Sequence, residues 1–172
     1  MDEHCSIAIR RLSSKADRKL YEAAYRWDVA APTWYTAQDI VFRPELEEFL
    51  SPPRTRADIG IFERGGDLVG LLTTTWHAGG DYEVHLWAKR GASVNILYEG
   101  MRQIRESMVR DLGAQRITAW VTKRNRHVIR LCYDLGLRES GFVMIHGTYR
   151  NRLIEWQQFV LDRDWMAIEK AA

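Results

Sequence analysis

Residues 82–113 read YEVHLWAKRGASVNILYEGMRQIRESMVRDLG. The short apolar run Tyr82–Ala88 predicts a β-strand. Between Asn95 and Leu112 apolar residues recur on one helical face, and Gly113 follows the last of them as a stop signal. The residues of that face are Ile96, Met101, Ile104, Met108 and Leu112. The stretch therefore predicts a strand that runs through a short loop into a long amphipathic helix.

Upstream of this unit the sequence predicts further strands. Asp58–Glu63 and Leu68–Trp76 are short apolar runs, and glycine-containing turns separate them from each other and from Tyr82–Ala88. Such spacing is typical of an antiparallel meander. Nearer the amino terminus we expect a strand, a helix, and a stretch with one or two short helices, at Ser6–Leu12, Ala16–Trp27 and Thr33–Ser51 respectively.

Downstream of the long helix, Ile117–Val121 predicts a strand and Arg126–Leu135 a short helix closed by Gly136. Two final strands are expected at Gly141–Tyr149 and Leu153–Asp162. The complete order predicts an α+β fold in which helices pack on a mixed sheet.

Length and composition limit the class of protein. The chain has 172 residues, 46% of them hydrophobic, which suits one domain spanning residues 1–172. Its 25 basic and 23 acidic residues leave a formal charge of only +2, which argues against a strong nucleic-acid binder. Apolar stretches such as Leu68–Leu72 fall far short of the roughly 20 residues that span a bilayer. We therefore expect no membrane insertion.

Cysteine and histidine usage argues against a metal site. Cys5 and Cys132 lack metal-type spacing, and the five histidines are scattered without a ligand motif. The amino terminus MDEHCSIAIRR has no signal-peptide pattern. A cytoplasmic location and the absence of a structural metal are the resulting expectations.

The loop between the predicted strand and the long helix carries a resemblance. It reads RGASVN and is similar to the R/Q-x-x-G-x-G/A signature of the GNAT superfamily of acyl-CoA-dependent N-acyltransferases, with Ser93 and Asn95 at the positions of small residues. In that family the amide groups of this loop, at a helix amino terminus, hold the pyrophosphate of coenzyme A. The resemblance implies a central mixed, mostly antiparallel sheet flanked by helices. It also implies cofactor-binding roles for Arg90, Gly91, Ala92, Ser93, Val94 and Asn95.

A second resemblance follows the next strand. The stretch 125–137, NRHVIRLCYDLGL, is similar to the family pattern N-x-x-A-x-x-x-Y-x-x-x-G-F. It implies that Asn125 and Cys132 lie beside coenzyme A, with Cys132 at the place of the family tyrosine that protonates the leaving thiolate. Tyr133 follows directly, but one helical step rotates a side chain by about 100°, so the two residues cannot reach the same point. Either Tyr133 is the general acid, or Cys132 packs beside the cofactor and water completes the proton transfer.

The resemblance also implies where the chemistry takes place. Backbone groups of the central strand, at Leu86, Trp87 and Ala88, would pair with the pantetheine arm of the cofactor. Strand alternation places Glu83 and His85 on one face. Glu83 is the preferred general base, since a central-strand carboxylate often has this role in the superfamily. His85 is the substitute, because imidazole exchanges protons near neutral pH.

The sequence therefore predicts transfer of an acetyl or short acyl group from acyl-CoA to a primary amine, on a small molecule or a protein. Acetyl-CoA is the expected donor, and a homodimer is one expected form. A catalytically weak or inactive GNAT-like module remains an alternative because the loop departs from the signature. A second alternative is a nucleic-acid-associated protein that uses its arginines and seven tryptophans, although the near-neutral charge disfavours it.

Overall fold

The computed structural model describes residues 7–30, 46–51, 55–63, 65–149 and 152–162. Within these ranges seven strands and four α-helices follow one another along the chain. The strands are β1 (Ala8–Leu12), β2 (Arg56–Phe62), β3 (Leu68–His77), β4 (Asp81–Ala88), β5 (Arg116–Thr122), β6 (Arg138–Tyr149) and β7 (Arg152–Asp162). The helices are α1 (Arg18–Ala30), α2 (Leu46–Leu50), α3 (Val94–Asp111) and α4 (Arg126–Asp134).

The strands form one sheet in the order β1-β2-β3-β4-β5-β7-β6. Neighbouring strands are antiparallel except β4 and β5, which are parallel. This parallel pair arises because α3 carries the chain back along the sheet before β5 begins, as a parallel connection requires. The predicted α+β fold with helices on a mixed, mostly antiparallel sheet is confirmed.

Two apolar cores cover the sheet. The larger packs α3 and α4 against the central strands, with Ile104 and Met108 of α3 among its buried residues. The smaller packs α1 and α2 against β1 to β4, and Tyr21 and Phe49 lie at its centre. The sheet thus has helices on both faces, which holds β4 firmly in the middle of the molecule.

The inward face of α3 confirms the prediction in part. Its buried residues are Leu97, Gly100, Ile104 and Met108, whereas Leu112 is the C-cap and is 53% exposed. Of the other predicted residues, Ile96 and Met101 are partly buried and pack against the larger core, and the prediction omitted Leu97 and Gly100. A Cβ atom at Gly100 would lie 2.6 Å from Cγ2 of Ile61, so the glycine allows α3 to approach β2 closely.

Most helix and strand boundaries lie within about three residues of the predicted ones. In the stretch 33–51 a helix forms at Leu46–Leu50, and residues 31–45 lie outside the described part of the chain. β6 begins at Arg138, ahead of the predicted start at Gly141. Gly141 has a φ of 85° and lies where the β6–β7 register shifts between Glu139 and Val143. It therefore marks a bulge within the strand rather than its beginning.

Candidate active site

Strands β4 and β5 separate part-way along their length. Their parallel pairing joins Asp81–Glu83 to Arg116–Thr118 and includes no later residue of either strand, although both strands are described throughout. β4 meanwhile stays paired with β3 as far as Ala88. A wedge therefore opens beyond Glu83, between the second halves of β4 and β5.

A cavity of about 530 Å³ occupies this wedge and continues beneath α3 and α4. Six of the residues that the sequence predicted for the site line it: Glu83, His85, Leu86, Trp87, Asn125 and Cys132. Ala88, Tyr133 and the loop residues Arg90, Gly91, Ala92, Ser93, Val94 and Asn95 do not line it. The loop lies instead just beyond the end of β4, where α3 begins.

Glu83 and His85 form a hydrogen-bonded pair at the closed end of the wedge. Nε2 of His85 lies 3.0 Å from Oε1 of Glu83, and about one third of each side chain is exposed. The hydrogen bond from His85 lowers the pKa of Glu83, although partial burial of the carboxyl group opposes this shift. The carboxylate is thus held in its ionised form, and Nδ1 of His85 is the ring nitrogen that does not face Glu83.

The loop that precedes α3 has the geometry of an anion site. Gly91 turns the chain with a φ of 81°, a conformation that favours glycine. Ser93 is the N-cap without a side-chain capping bond, and the first helical hydrogen bond runs from the Leu97 N–H to the Ser93 carbonyl. The N–H groups of the helical residues before Leu97 take no part in this bond and are the amides that a helix start leaves unpaired within the helix, and Arg90, which is exposed, lies three residues before the N-cap in the sequence. Asn95 is exposed within the first turn, so it is not the capping residue.

Asn125 combines two positions. It is the N-cap of α4, where its Oδ1 accepts a hydrogen bond from the Val128 N–H at 3.3 Å, and it also lines the cavity. The cap uses the side-chain oxygen, so the Nδ2 group is not engaged in that bond. Asn125 can therefore hold the start of α4 and donate a hydrogen bond to a ligand at the same time.

Cys132 and Tyr133 face different surroundings. Cys132 is 5% exposed and lines the cavity, and burial raises the pKa of its thiol to about 12. Tyr133 is 49% exposed, packs edge-on against Phe159, and donates a hydrogen bond from its hydroxyl to Glu139. The rotation of one helical step separates them, and the cysteine is the residue on the cavity side.

Sequence reasoning missed a buried polar cluster on β2, the strand that lies beyond β3 from β4. Arg56 lines the cavity, and its Nε donates to Oδ1 of Asp58 at 2.8 Å. Tyr21 donates its hydroxyl proton to Oδ2 of the same carboxylate at 2.7 Å. Asp58 is only 2% exposed. The signal was the alternation of Arg56, Asp58 and Gly60 within an apolar strand, which places both charged residues on one face.

Solved structures share this architecture. A spermidine N-acetyltransferase from Vibrio cholerae in complex with CoA and spermine has a TM-score of 0.71 and 13% identity, covering 92% of this chain and 96% of that chain. The chain has the GNAT fold. A dodecameric structure of spermidine N-acetyltransferase from the same organism in an intermediate state has a TM-score of 0.71 and 11% identity, covering 93% of this chain and 95% of that chain.

The structural similarity shows the GNAT fold. At 11–13% sequence identity it does not show which ligands this chain binds. No protein-family model matches the sequence, and no significant match occurs among curated proteins. No helix in the described ranges is long and apolar enough to cross a membrane. Among the same residues no group of three or more His, Cys, Asp or Glu side chains could hold a metal ion.

Proposed function

We propose that this protein is an N-acyltransferase that moves an acetyl or short acyl group from acyl-CoA to a primary amine, and that residues 1–172 form one such domain. The observation that carries the proposal is the wedge between β4 and β5, with the Glu83–His85 pair at its closed end. The α3 loop lies at the other end of β4. A donor, an acceptor and a base could meet there. The spermidine N-acetyltransferase with CoA and spermine bound supports the reaction class through its shared fold.

The residues of the wedge and loop suit an acyl-CoA. The first-turn amides of α3 and the Arg90 guanidinium would hold the pyrophosphate, since a helix amino terminus attracts anions. Leu86, Trp87 and Ala88 would border the pantetheine arm from β4, and Asn125 would meet it from α4. Acetyl-CoA supplies the activated acyl group as its thioester.

The Glu83–His85 pair suits the removal of a proton from the acceptor. A primary amine with a pKa near that of lysine, about 10, is mostly protonated at neutral pH and cannot attack until that proton leaves. We propose that Nδ1 of His85 takes it, directly or through water, while Glu83 orients the ring and balances its positive charge. The lowered pKa of Glu83 makes its carboxylate a poor proton acceptor.

In the overall reaction the amine nitrogen forms a bond to the acyl carbon, and the bond from that carbon to sulfur breaks. The thiolate then needs a proton. Cys132 is a poor donor because burial raises its pKa to about 12, and Tyr133 directs its hydroxyl to Glu139. Water is therefore the proposed proton source.

A direct test is calorimetric titration of the protein with acetyl-CoA, followed by a screen of amine acceptors by mass spectrometry. Arg90→Ala should weaken acetyl-CoA binding by about three- to tenfold, because it removes one charged contact to phosphate. Arg11→Ala is the matched control, since Arg11 is also exposed but lies on the far edge strand β1. Equal effects of the two variants would remove the loop from the donor site.

A further prediction concerns the group that protonates the leaving thiolate. Tyr133→Phe and Cys132→Ala should each lower kcat by less than about tenfold, because neither hydroxyl nor thiol protonates the thiolate. Steady-state rates at saturating donor measure this. A loss of several hundredfold for Tyr133→Phe would identify it as the general acid, and the same loss for Cys132→Ala would indicate a covalent acyl-cysteine route.

The inactive module stays the second candidate because Ser93 and Asn95 replace small residues of the loop signature. Its discriminating result is tight binding of acetyl-CoA with no acetylated product from any amine in the screen. Failure to bind acetyl-CoA at millimolar concentration would contradict both candidates.

A further inference from the structure

One residue that lines the cavity, Arg56, carries a hydrogen-bond donor without a partner among the described residues. Nη2 of Arg56 is buried and has no hydrogen-bond partner among the residues that the structure describes. The guanidinium is nevertheless held firmly, since Nε donates to Asp58 and the Phe49 ring lies 5.0 Å from its central carbon. Buried polar groups are almost always paired, so an orphan donor on a side chain that lines a cavity is a feature to explain.

The orphan donor belongs to the same face of the sheet as the Glu83–His85 pair. Arg56 lies opposite Thr75 of β3, and Thr75 lies opposite Glu83 of β4. Residues directly opposite one another point to the same face, and adjacent strands are about 4.8 Å apart. The Cα atoms of Arg56 and Glu83 are thus separated by roughly 10 Å, and both residues line the one cavity. An amine held at His85 needs only a few further atoms to reach Arg56.

The charges of Arg56 and Asp58 limit which ligand group can accept a hydrogen bond from Nη2. Asp58 already balances the guanidinium, so a neutral carbonyl oxygen can accept from Nη2 without leaving a new charge uncompensated. A carboxylate can accept as well, whereas a second ammonium group would be repelled. Beside the guanidinium, Phe49 and Trp87 pack with ring centroids 4.9 Å apart and provide an apolar wall.

We propose that the acceptor is an amine that also carries a carbonyl or carboxylate oxygen, and that Nη2 of Arg56 binds this oxygen. The inference rests on the proposed acyl transfer and narrows its acceptor class. It places polyamines, the ligands of the similarly folded acetyltransferase, among the poor acceptors. Arg56 is then a specificity residue rather than a catalytic one.

The test compares acceptors that differ in this oxygen alone. Phenylalaninamide carries a carbonyl, phenylalanine a carboxylate, and 2-phenylethylamine neither; spermidine represents the polyamines. Rates are expressed per concentration of neutral amine, so that differences in amine basicity cancel. We expect kcat/KM for the better of the two oxygen-bearing acceptors to exceed that for 2-phenylethylamine by about 10- to 100-fold, as a restored buried hydrogen bond implies. The amide and the acid distinguish a carbonyl from a carboxylate ligand.

Variants then test whether Arg56 causes the preference for acceptors that carry the oxygen. Arg56→Met combined with Asp58→Asn removes both charges without leaving either one buried alone, and should reduce the preference to less than about threefold. Arg10→Met is the matched control, because Arg10 also pairs with an aspartate and lies 5.4 Å from a phenyl ring centroid, but on β1 outside the cavity. It should leave the preference unchanged.

Calorimetry of phenylalaninamide with protein saturated in CoA gives a second readout that does not depend on turnover. Binding that weakens about tenfold or more in the double variant, with wild-type binding in Arg10→Met, supports the inference. Equal acetylation of 2-phenylethylamine or spermidine and the amide overturns it while the proposed function stands. An unchanged preference in the double variant also overturns it, and acetylation of no amine overturns the proposed function together with it.

Discussion

Replacing Glu83 and His85 together by glutamine should lower kcat/KM for an amine acceptor by about 10²- to 10⁴-fold, the usual contribution of a positioned general base. The pair is joined by a 3.0 Å hydrogen bond, so the two residues act as one unit and the single variants should not sum to the double variant. Acetyl-CoA affinity should stay within about twofold, because neither residue belongs to the α3 loop.

The size of the loss in each single variant separates the two roles. The hydrogen bond from His85 lowers the pKa of Glu83, so the carboxylate stays ionised below neutral pH and can orient the ring. His85→Gln should reduce turnover mainly at lower pH, where neutral amine is scarcest and the proposed base is most needed. Glu83→Gln should show the same pH dependence with a smaller loss, because it removes only the partner that orients the ring.

Glu22→Gln on α1 serves as the control, since Glu22 is hydrogen-bonded to Arg18 and does not line the cavity. Unchanged pH–rate profiles in both single variants would contradict the assignment and leave bulk water as the base.

Asp58→Ala should lower the free energy of unfolding by about 3–5 kcal/mol, the cost of leaving a buried charge without its partner. The carboxylate accepts from Tyr21 and Arg56, and its side chain is 1% exposed. Burial, and then the bond to Asp58, raise the pKa of Tyr21, which keeps its hydroxyl protonated as a donor. Replacing Asp58 by alanine would leave the Tyr21 hydroxyl and the Arg56 Nε without this acceptor.

Urea unfolding measures this change, with Asp17→Ala as the matched control. Asp17 also accepts from an arginine and a backbone amide, but Arg10 is half exposed, so about 1 kcal/mol is expected. Equal losses of stability in the two variants would show that the contacts of Asp58 with Tyr21 and Arg56 stabilise the fold no more than an ordinary surface pair does.

Local periodicity explains how much of the fold could be predicted. The run from Tyr82 to Leu112 encodes a strand and a helix through nearest neighbours alone, and both form with nearly the expected limits. The inward face of α3 was predicted without Gly100 because glycine offers no hydrophobic signal, although its missing Cβ is what lets the helix pack against Ile61. Gly141 was likewise taken for a boundary, since a bulge and a turn use the same residue type.

The residues of the candidate site could also be predicted only where the signal is local. Alternation along one strand was enough to place Glu83 and His85 on the same face, and rotation along one helix was enough to separate Cys132 from Tyr133. Arg56 could not be linked to them, because that link depends on the register of β2 on β3 and of β3 on β4. Register across strands is decided by turns and by the packing of the whole sheet, which the pattern within one strand does not contain.

The separation of β4 from β5 also divides the molecule for folding. β1 to β4 lie within residues 8–88 and β5 to β7 within residues 116–162, and apart from the β4–β5 pair each strand pairs only within its own group. Three residue pairs form the seam between the two groups, and α3 is the segment that links them. The pairs β2–β3, β3–β4 and β6–β7 form across short connections, which favours their rapid formation. The seam has the fewest residue pairs of any strand pairing in the described sheet, so we expect its amides to exchange with solvent before those of either group.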